Sequence, residues 1–160
     1  MILWINGPFG VGKTTLAALV PGARVYNPER IGWVLQRLTR TADFQDLPAW
    51  RSAVVRGIAR RRGTVVVPMT VLNPDYLTEL LDGLRSRQRE VVHVTLHASR
   101  PEVERRIEAD SADPGAREWR LAQLDRYEQA AADLARRGPI VDTTELTPAE
   151  VLAQLPPIGE

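Results

Sequence analysis

A single lysine lies within a glycine-rich segment near the start of the chain. Lys13 is the only lysine among the 21 lysine and arginine residues, and Thr14 follows it. Residues 7–14 have the sequence GPFGVGKT, which fits the G-x-x-x-x-G-K-[ST] pattern of a phosphate-binding loop. A lysine ammonium is a compact charge that fits inside a loop wrapped around phosphates, whereas a guanidinium is a wide planar fork. The pattern predicts nucleotide binding; the alternative is a glycine-rich turn without a ligand.

The residues of this loop have separate predicted roles. Backbone N–H groups and the start of the following helix should hold the phosphates. Lys13 should contact the β- and γ-phosphates and assist catalysis, while the Thr14 hydroxyl should bind Mg²⁺. We therefore expect ATP and Mg²⁺ as cofactors. The predicted nucleotide-binding residues are Gly7, Pro8, Phe9, Gly10, Val11, Gly12, Lys13, Thr14 and Thr15.

Composition limits the remaining possibilities. A chain of 160 residues with 44% hydrophobic residues predicts one globular domain over 1–160. The net charge of +1 argues against a nucleic-acid-binding face, and the absence of cysteine excludes disulfides and cysteine-based zinc sites. No apolar run has the length of a membrane span. We expect a cytoplasmic protein, with peripheral attachment at the membrane as the alternative; the sequence leaves the oligomeric state open.

Short apolar runs alternate with helical patterns along the chain. This alternation predicts an α/β fold in which a five-stranded parallel sheet has helices on both faces. Together with the glycine loop after the first strand, this alternation predicts a P-loop NTPase fold of kinase-like form. The predicted strands are Ile2–Ile5, Arg24–Tyr26, Thr64–Val67, Val91–Leu96 and Pro139–Val141.

Helix starts are marked by capping residues and prolines. Asn73 and Asp46 are predicted caps for helices that begin beside Pro74 and Pro48, and a further helix should start at Asn27. The segments 99–102 and 147–150 both predict capping boxes. The three arginines at 60–62 are best interpreted as favourable charge at a helix end rather than as a polyanion site.

A short lid is predicted at about residues 108–120, before one last long helix. Arg117 and Arg120 extend the apolar stripe of that helix toward its start, so they must either reach solvent or meet an anion. The region from Leu96 through the lid resembles the second half of small-molecule and nucleoside-monophosphate kinases. That resemblance implies that Arg105 or Arg106 lies near the nucleotide and that residues 142–144 lie beside the adenine. The four arginines are candidates for stabilising charge during transfer.

Two acidic positions common in such kinases are missing here. The third strand ends in Pro68-Met69-Thr70 without the Walker B aspartate, so Mg²⁺ would depend on Thr14, phosphates and water. The second strand is followed by Asn27, which cannot accept a proton from an acceptor hydroxyl. Asp43 has no evident structural role and is the candidate general base; the alternative is a turn aspartate.

Aromatic side chains are concentrated between the second strand and the third predicted helix. They suit either a protein core or a pocket for a ring-bearing or lipidic substrate. Together with this region, Thr70 would line the acceptor pocket. The candidate substrate-binding residues are Tyr26, Asn27, Trp33, Phe44, Trp50, Arg51 and Thr70. His93 and His97 share one strand face without a carboxylate partner, so we interpret them as structural.

Several strings together resemble the tunicamycin-resistance protein family. They are WINGxFGxGKT at 4–14, YNPExxG at 26–32, DFQxxPxWR at 43–51 and VPMT at 67–70. The resemblance covers nearly the whole chain and implies a kinase-like, ATP-binding fold that confers resistance to a uracil nucleoside antibiotic bearing amino sugars and an acyl chain. The family has an aspartate where this chain has Asn27, which shifts the role of base toward Asp43.

The resemblance favours ATP-dependent phosphorylation of a hydroxyl on tunicamycin or a related nucleoside antibiotic. Two alternatives stay open. The protein could sequester the drug in an ATP-dependent manner without modifying it, or it could be a general small-molecule or nucleoside kinase.

Overall fold

A parallel sheet with helices on both sides forms the body of the protein. The computed structural model describes residues 1–28, 43–111 and 114–157. Its strands are β1 (Ile2–Asn6), β2 (Arg24–Val25), β3 (Val65–Pro68), β4 (Val91–His97) and β5 (Ile140–Asp142). All pairings are parallel, in the order β2-β3-β1-β4-β5. The predicted sheet and its five strands are confirmed.

The helices follow the strands along the chain. They are α1 (Lys13–Leu19), α2 (Pro48–Ala59), α3 (Pro74–Arg85), α4 (Arg100–Ala109), α5 (Arg117–Ala122), α6 (Leu124–Ala135) and α7 (Pro148–Ala153). Single 3-10 turns cover Phe44–Asp46 and Pro114–Ala116. The predicted last long helix is wrong in one respect, because Gln123 separates α5 from α6.

Alternating side chains of the central strand build two separate cores. Ile2 and Trp4 point into a core shared with α2, α3 and α6, while Leu3 and Ile5 point into a core shared with α1 and α4. Successive residues of a strand face opposite sides of a sheet, so the four apolar residues Ile2–Ile5 cover both faces of β1. All five of its residues are buried. The loop after β1 therefore starts from a fully buried strand.

Helix capping agrees with the sequence in part. The Asn73 side chain accepts hydrogen bonds at the start of α3, and the capping box of Thr147 with Glu150 is present. The box predicted at Ser99 is wrong, since Ser99 makes no side-chain cap. Asp46 is also wrong as a cap: Leu47 occupies that position of α2. The helix predicted to start at Asn27 falls largely on residues 29–42, outside the described residues.

Within residues 1–28, 43–111 and 114–157, every helix is too short or too polar to cross a bilayer.

Candidate functional site

The phosphate loop connects the carboxyl end of β1 to the start of α1. Gly7, Gly10 and Gly12 have φ angles of 134°, 80° and 98°, a region that favours glycine. A Cβ at Gly7 would lie 2.5 Å from the Leu96 carbonyl oxygen, and one at Gly10 would lie 2.6 Å from Ile107 Cγ1. The loop therefore packs against β4 and α4 too closely for side chains. At Gly12 a Cβ would meet nothing within 4 Å, which leaves open space for an anion.

Lys13 is held against the backbone of the loop. Its Nζ donates to the carbonyl oxygens of Gly7 at 3.0 Å and Pro8 at 2.6 Å, and it lies 5.4 Å from the Phe9 ring centre. The side chain is buried, so its position is well defined. A short reorientation would transfer this ammonium from neutral carbonyls to a charged phosphate, which is the stronger partner. Gly7 and Pro8 contribute through these carbonyl groups and lie behind the surface that faces solvent.

One large cleft opens above the loop at the carboxyl ends of the strands, where ligands bind in open α/β sheets. Its volume is about 1360 Å³. Predicted site residues that line it are Phe9, Gly10, Val11, Gly12, Lys13, Thr14, Thr15, Asn27, Asp43, Phe44, Thr70, Arg105, Arg106 and Arg120. The fold thus brings the phosphate loop and three of the seven predicted acceptor residues, Asn27, Phe44 and Thr70, to one opening.

The residues suited to Mg²⁺ are few. Thr14 is exposed to the cleft at the start of α1, so its hydroxyl is accessible to a metal bound by phosphates. β3 is followed by Met69 and Thr70 rather than by an acid. Among the residues that the structure describes, no group of three or more His, Cys, Asp or Glu side chains forms a metal site. The donor set fits an ion that keeps water and phosphate oxygens as most of its ligands.

Arg106 joins the phosphate loop to the loop after β5. It donates to the Val11 carbonyl at 3.3 Å, and to the Thr143 carbonyl at 2.7 Å and hydroxyl at 3.0 Å. Its Nε also contacts Glu102 at 2.6 Å. Arg105 also binds the Glu102 carboxylate. Its side chain, however, is 67% exposed, whereas that of Arg106 is 22% exposed. Arg106 therefore fixes the floor of the cleft, whereas Arg105 can move.

Glu102 explains the missing capping box at Ser99. Hydrogen bonds from Arg105, and then from Arg106, lower the pKa of this carboxyl to about 2. A charged pair of arginines is a stronger partner than the backbone N–H of a helix start. The Glu102 side chain is consequently used for orienting the two arginines rather than for capping α4.

The predicted lid segment covers the end of α4, the turn at 114–116 and α5, apart from residues 112–113. Arg120 lines the cleft and pairs with Asp110 at 2.7 Å. Arg117 is exposed, donates to the Glu108 carbonyl at 3.0 Å, and does not line the cleft. Neither the solvent nor the anion alternative describes them fully, because both arginines make contacts within the lid.

Trp119 is a cleft residue that the sequence did not single out. It is 55% exposed, and its ring meets the Phe9 ring edge-on with centroids 4.8 Å apart. Aromatic rings in this arrangement attract each other. The contact places α5 of the lid directly against the phosphate loop. Its signal in the sequence was a large aromatic residue between Arg117 and Arg120, off the apolar stripe of the helix.

Two carboxylates from the segment just before α2 also line the cleft. Asp43 accepts from the Gln45 backbone N–H at 2.9 Å and so caps the 3-10 turn, which corrects the view that it lacks a structural role. Asp46 accepts from the Tyr76 hydroxyl at 3.1 Å. Both residues line the cleft beside Phe44. Capping occupies one oxygen of Asp43, so its second oxygen is available for other contacts.

Three predicted substrate contacts lie away from the cleft. Tyr26 and Trp50 belong to the core beside α2, where Trp50 is fully buried. Arg51 is buried and binds Glu79 at 2.6 Å. These assignments are corrected, because the inward face of α2 packs on the sheet rather than on a ligand. Trp33 lies outside the described residues. His93 and His97 bind the Arg137 carbonyl and the Tyr127 hydroxyl, in keeping with structural roles.

Comparison with known proteins assigns the family. The AAA domain family matches residues 2–134. The tunicamycin resistance protein of Deinococcus radiodurans is 30% identical, with 96% of this chain and 91% of that chain covered at a TM-score of 0.66. A gluconokinase from Sinorhizobium meliloti is 19% identical, with 94% and 86% covered at a TM-score of 0.67. A shikimate kinase from Bacteroides thetaiotaomicron is 14% identical, with 96% and 95% covered at a TM-score of 0.61.

The gluconokinase and the shikimate kinase share the fold with this chain. Among curated proteins, no significant match is found. The chain therefore belongs to the AAA domain family of P-loop proteins and to the tunicamycin-resistance protein family, with the kinase-like fold that its sequence predicted.

Proposed function

We propose that this protein is an ATP-dependent phosphotransferase that phosphorylates a hydroxyl of tunicamycin or a related nucleoside antibiotic and so confers resistance. The observation that supports it most is that Lys13, Asp43 and Asp46 all line the same cleft. Similarity to the Deinococcus radiodurans tunicamycin resistance protein supports the choice of acceptor.

The proposed reaction joins the two sides of the cleft. The acceptor oxygen forms a bond to the γ-phosphorus, the bond from that phosphorus to the ADP oxygen breaks, and the hydroxyl proton passes to Asp43. Lys13 moves from the Gly7 and Pro8 carbonyls to the phosphates and stabilises the charge that develops on the transferred group. Arg105 and Arg120, which line the cleft, are candidates for further charge stabilisation. Mg²⁺, held by Thr14 and phosphate oxygens, would neutralise phosphate charge when bound.

One observation favours a second function, ATP-dependent sequestration of the drug without transfer. No carboxylate follows β3, and Asn27, which lines the cleft, cannot accept a proton. A protein with weak metal binding and no base would still bind nucleotide and drug. Sequestration predicts protection in proportion to protein concentration.

Mass spectrometry of the drug separates these functions. Purified protein is incubated with tunicamycin, ATP and Mg²⁺, in parallel with the Lys13→Met variant. Phosphotransfer predicts a gain of one phosphoryl group that the variant abolishes. Recovery of unmodified drug, with binding of drug and ATP both demonstrated, would contradict it. Efficient phosphorylation of ordinary nucleosides or sugars would instead favour a general kinase.

A further inference from the structure

Arg51 is a buried charge that the cleft does not reach. Its side chain is only 8% exposed, and its Nε binds Glu79 at 2.6 Å. Its Nη1 donates to the Gln45 carbonyl at 2.5 Å, and its guanidinium carbon lies 4.1 Å from the centre of the Tyr76 ring. Removing a guanidinium from water is costly unless its partners are well placed. Two of these partners contact residues 43–47, here called the acceptor wall: Gln45 belongs to it, and Tyr76 donates to Asp46.

Gln45 is held from three directions. Its N–H donates to Asp43, its carbonyl accepts from Arg51, and its Nε2 donates to the Thr70 carbonyl at 2.9 Å. Both the backbone and the side chain of this residue are therefore fixed. Because the Gln45 side chain points to the segment after β3, the acceptor wall is attached to the sheet.

Thr70 continues this connection to the phosphate loop. Its Oγ1 donates to the Gly7 carbonyl oxygen at 2.9 Å, and that carbonyl oxygen also accepts from Lys13 Nζ at 3.0 Å. Thr70 is buried. Thr70 thus connects the two sides: its backbone carbonyl accepts from Gln45, and its side-chain hydroxyl donates to the Gly7 carbonyl that also accepts from Lys13.

We propose that Gln45 and Thr70 are positioning residues that couple the acceptor wall to the phosphate loop, with Arg51 holding Gln45 in place. The coupling rests on the proposed phosphotransfer for its catalytic consequence, but not for its existence. When a nucleotide draws Lys13 Nζ away from Gly7, the bond from Thr70 to that carbonyl loses a competing donor and strengthens. Occupation of the phosphate loop then tightens residues 43–47.

The first test uses nucleotide alone. Amide hydrogen exchange of residues 45–47 is measured with and without ADP and Mg²⁺ in the wild type, Thr70→Val and Thr70→Ser. We expect exchange to slow by roughly 2- to 30-fold on binding, the range typical of coupling through packed networks. Thr70→Val should lose this slowing and Thr70→Ser should retain it, because only the serine keeps the hydroxyl. Equal slowing in all three proteins, or none in the wild type, would overturn the proposal.

A second test uses the reaction. Gln45→Leu and Thr70→Val should each lower kcat by about tenfold while ADP affinity stays within about twofold, and the double variant should lose little more than either single one. Additive losses, or losses explained by a lower melting temperature alone, would also overturn the coupling. If the wild type fails to phosphorylate tunicamycin, the proposed function fails, whereas the exchange experiment still decides the coupling.

Discussion

The ring of Trp119 meets the ring of Phe9 edge-on, with 4.8 Å between their centroids. One residue lies on the lid helix α5 and the other within the phosphate loop, so the lid contacts the loop. A nucleotide that fills the loop must share this space. The pair therefore makes the indole of Trp119 a natural reporter of ligand binding.

Trp119 should become less accessible when a nucleotide binds. Trp4 and Trp50 are fully buried, so in a Trp33→Phe background Trp119 is the accessible indole. Adding ADP and Mg²⁺ should reduce quenching of its fluorescence by acrylamide, because the lid closes over the phosphates. Trp119→Phe, which keeps an aromatic ring, provides the control in which only the buried indoles of Trp4 and Trp50 fluoresce. Unchanged quenching at saturating nucleotide would show that α5 does not act as a lid.

Lys13→Met should reduce turnover far more than it reduces ATP affinity. The ammonium is positioned to act on charge that develops during transfer, and losing one such donor typically costs about 10²- to 10³-fold in kcat. The backbone of the loop would still hold the phosphates. Steady-state kinetics with a separate nucleotide titration measures both effects, and a change confined to ATP affinity would refute a role in transfer.

Arg106 and Arg105 offer a matched comparison, since both bind Glu102. Arg106→Met removes hydrogen bonds to Val11 and Thr143 and should destabilise the protein by about 2 kcal/mol while weakening nucleotide binding. Arg105→Met removes only an exposed contact and should change stability little. Urea denaturation of the two variants measures their changes in stability. Equal destabilisation by the two variants would mean that Arg106 does not hold the two loops together.

Asp43 and Asp46 provide a second matched pair. If Asp43 is the general base, Asp43→Asn should lower kcat by about 10²- to 10⁴-fold, with a retained cap because asparagine also caps turns. Asp46→Asn should be much milder, since that carboxylate accepts from the Tyr76 hydroxyl. A larger loss at Asp46 would reverse the assignment.

His93 should make stability depend on pH. Burial lowers the pKa of His93 below its usual 6.5, and the charge of Arg85 adds to this, while the Arg137 carbonyl opposes it. The unfolded chain therefore binds the proton more readily, so the free energy of unfolding falls as pH drops below about 6.5. His93→Gln should flatten this dependence between about pH 6.5 and pH 5, measured by urea denaturation. If the pH dependence of the unfolding free energy is unchanged in His93→Gln, His93 is not the group responsible for it.

The fold was predictable because its signals are local. The apolar run Ile2–Ile5, followed by glycines and Lys13, predicts a buried strand whose phosphate loop lies at the carboxyl end of the sheet. Asn73 and Thr147 cap helices as predicted because their backbone partners lie only two or three residues further along the chain. Where partners compete, as Arg105 and Arg106 do for Glu102, local capping rules fail.

The aromatic residues were harder to assign. Trp50 and Trp119 are equally apolar, yet one is fully buried and the other is 55% exposed. Which face of α2 or α5 meets the sheet is a tertiary property, and composition does not report it. The connection through Thr70 was likewise invisible, because it joins residues 63 positions apart in the chain.

Counting the drug molecules modified by each protein chain tests the central claim most directly. Tunicamycin is supplied in large excess over protein with ATP and Mg²⁺, and phosphorylated drug is quantified over time. A phosphotransferase predicts many phosphorylated molecules per chain, with ADP formed in equal amount and both lost in Lys13→Met. Drug that stays unmodified, bound at no more than one molecule per chain, would contradict phosphotransfer and identify a sequestering protein.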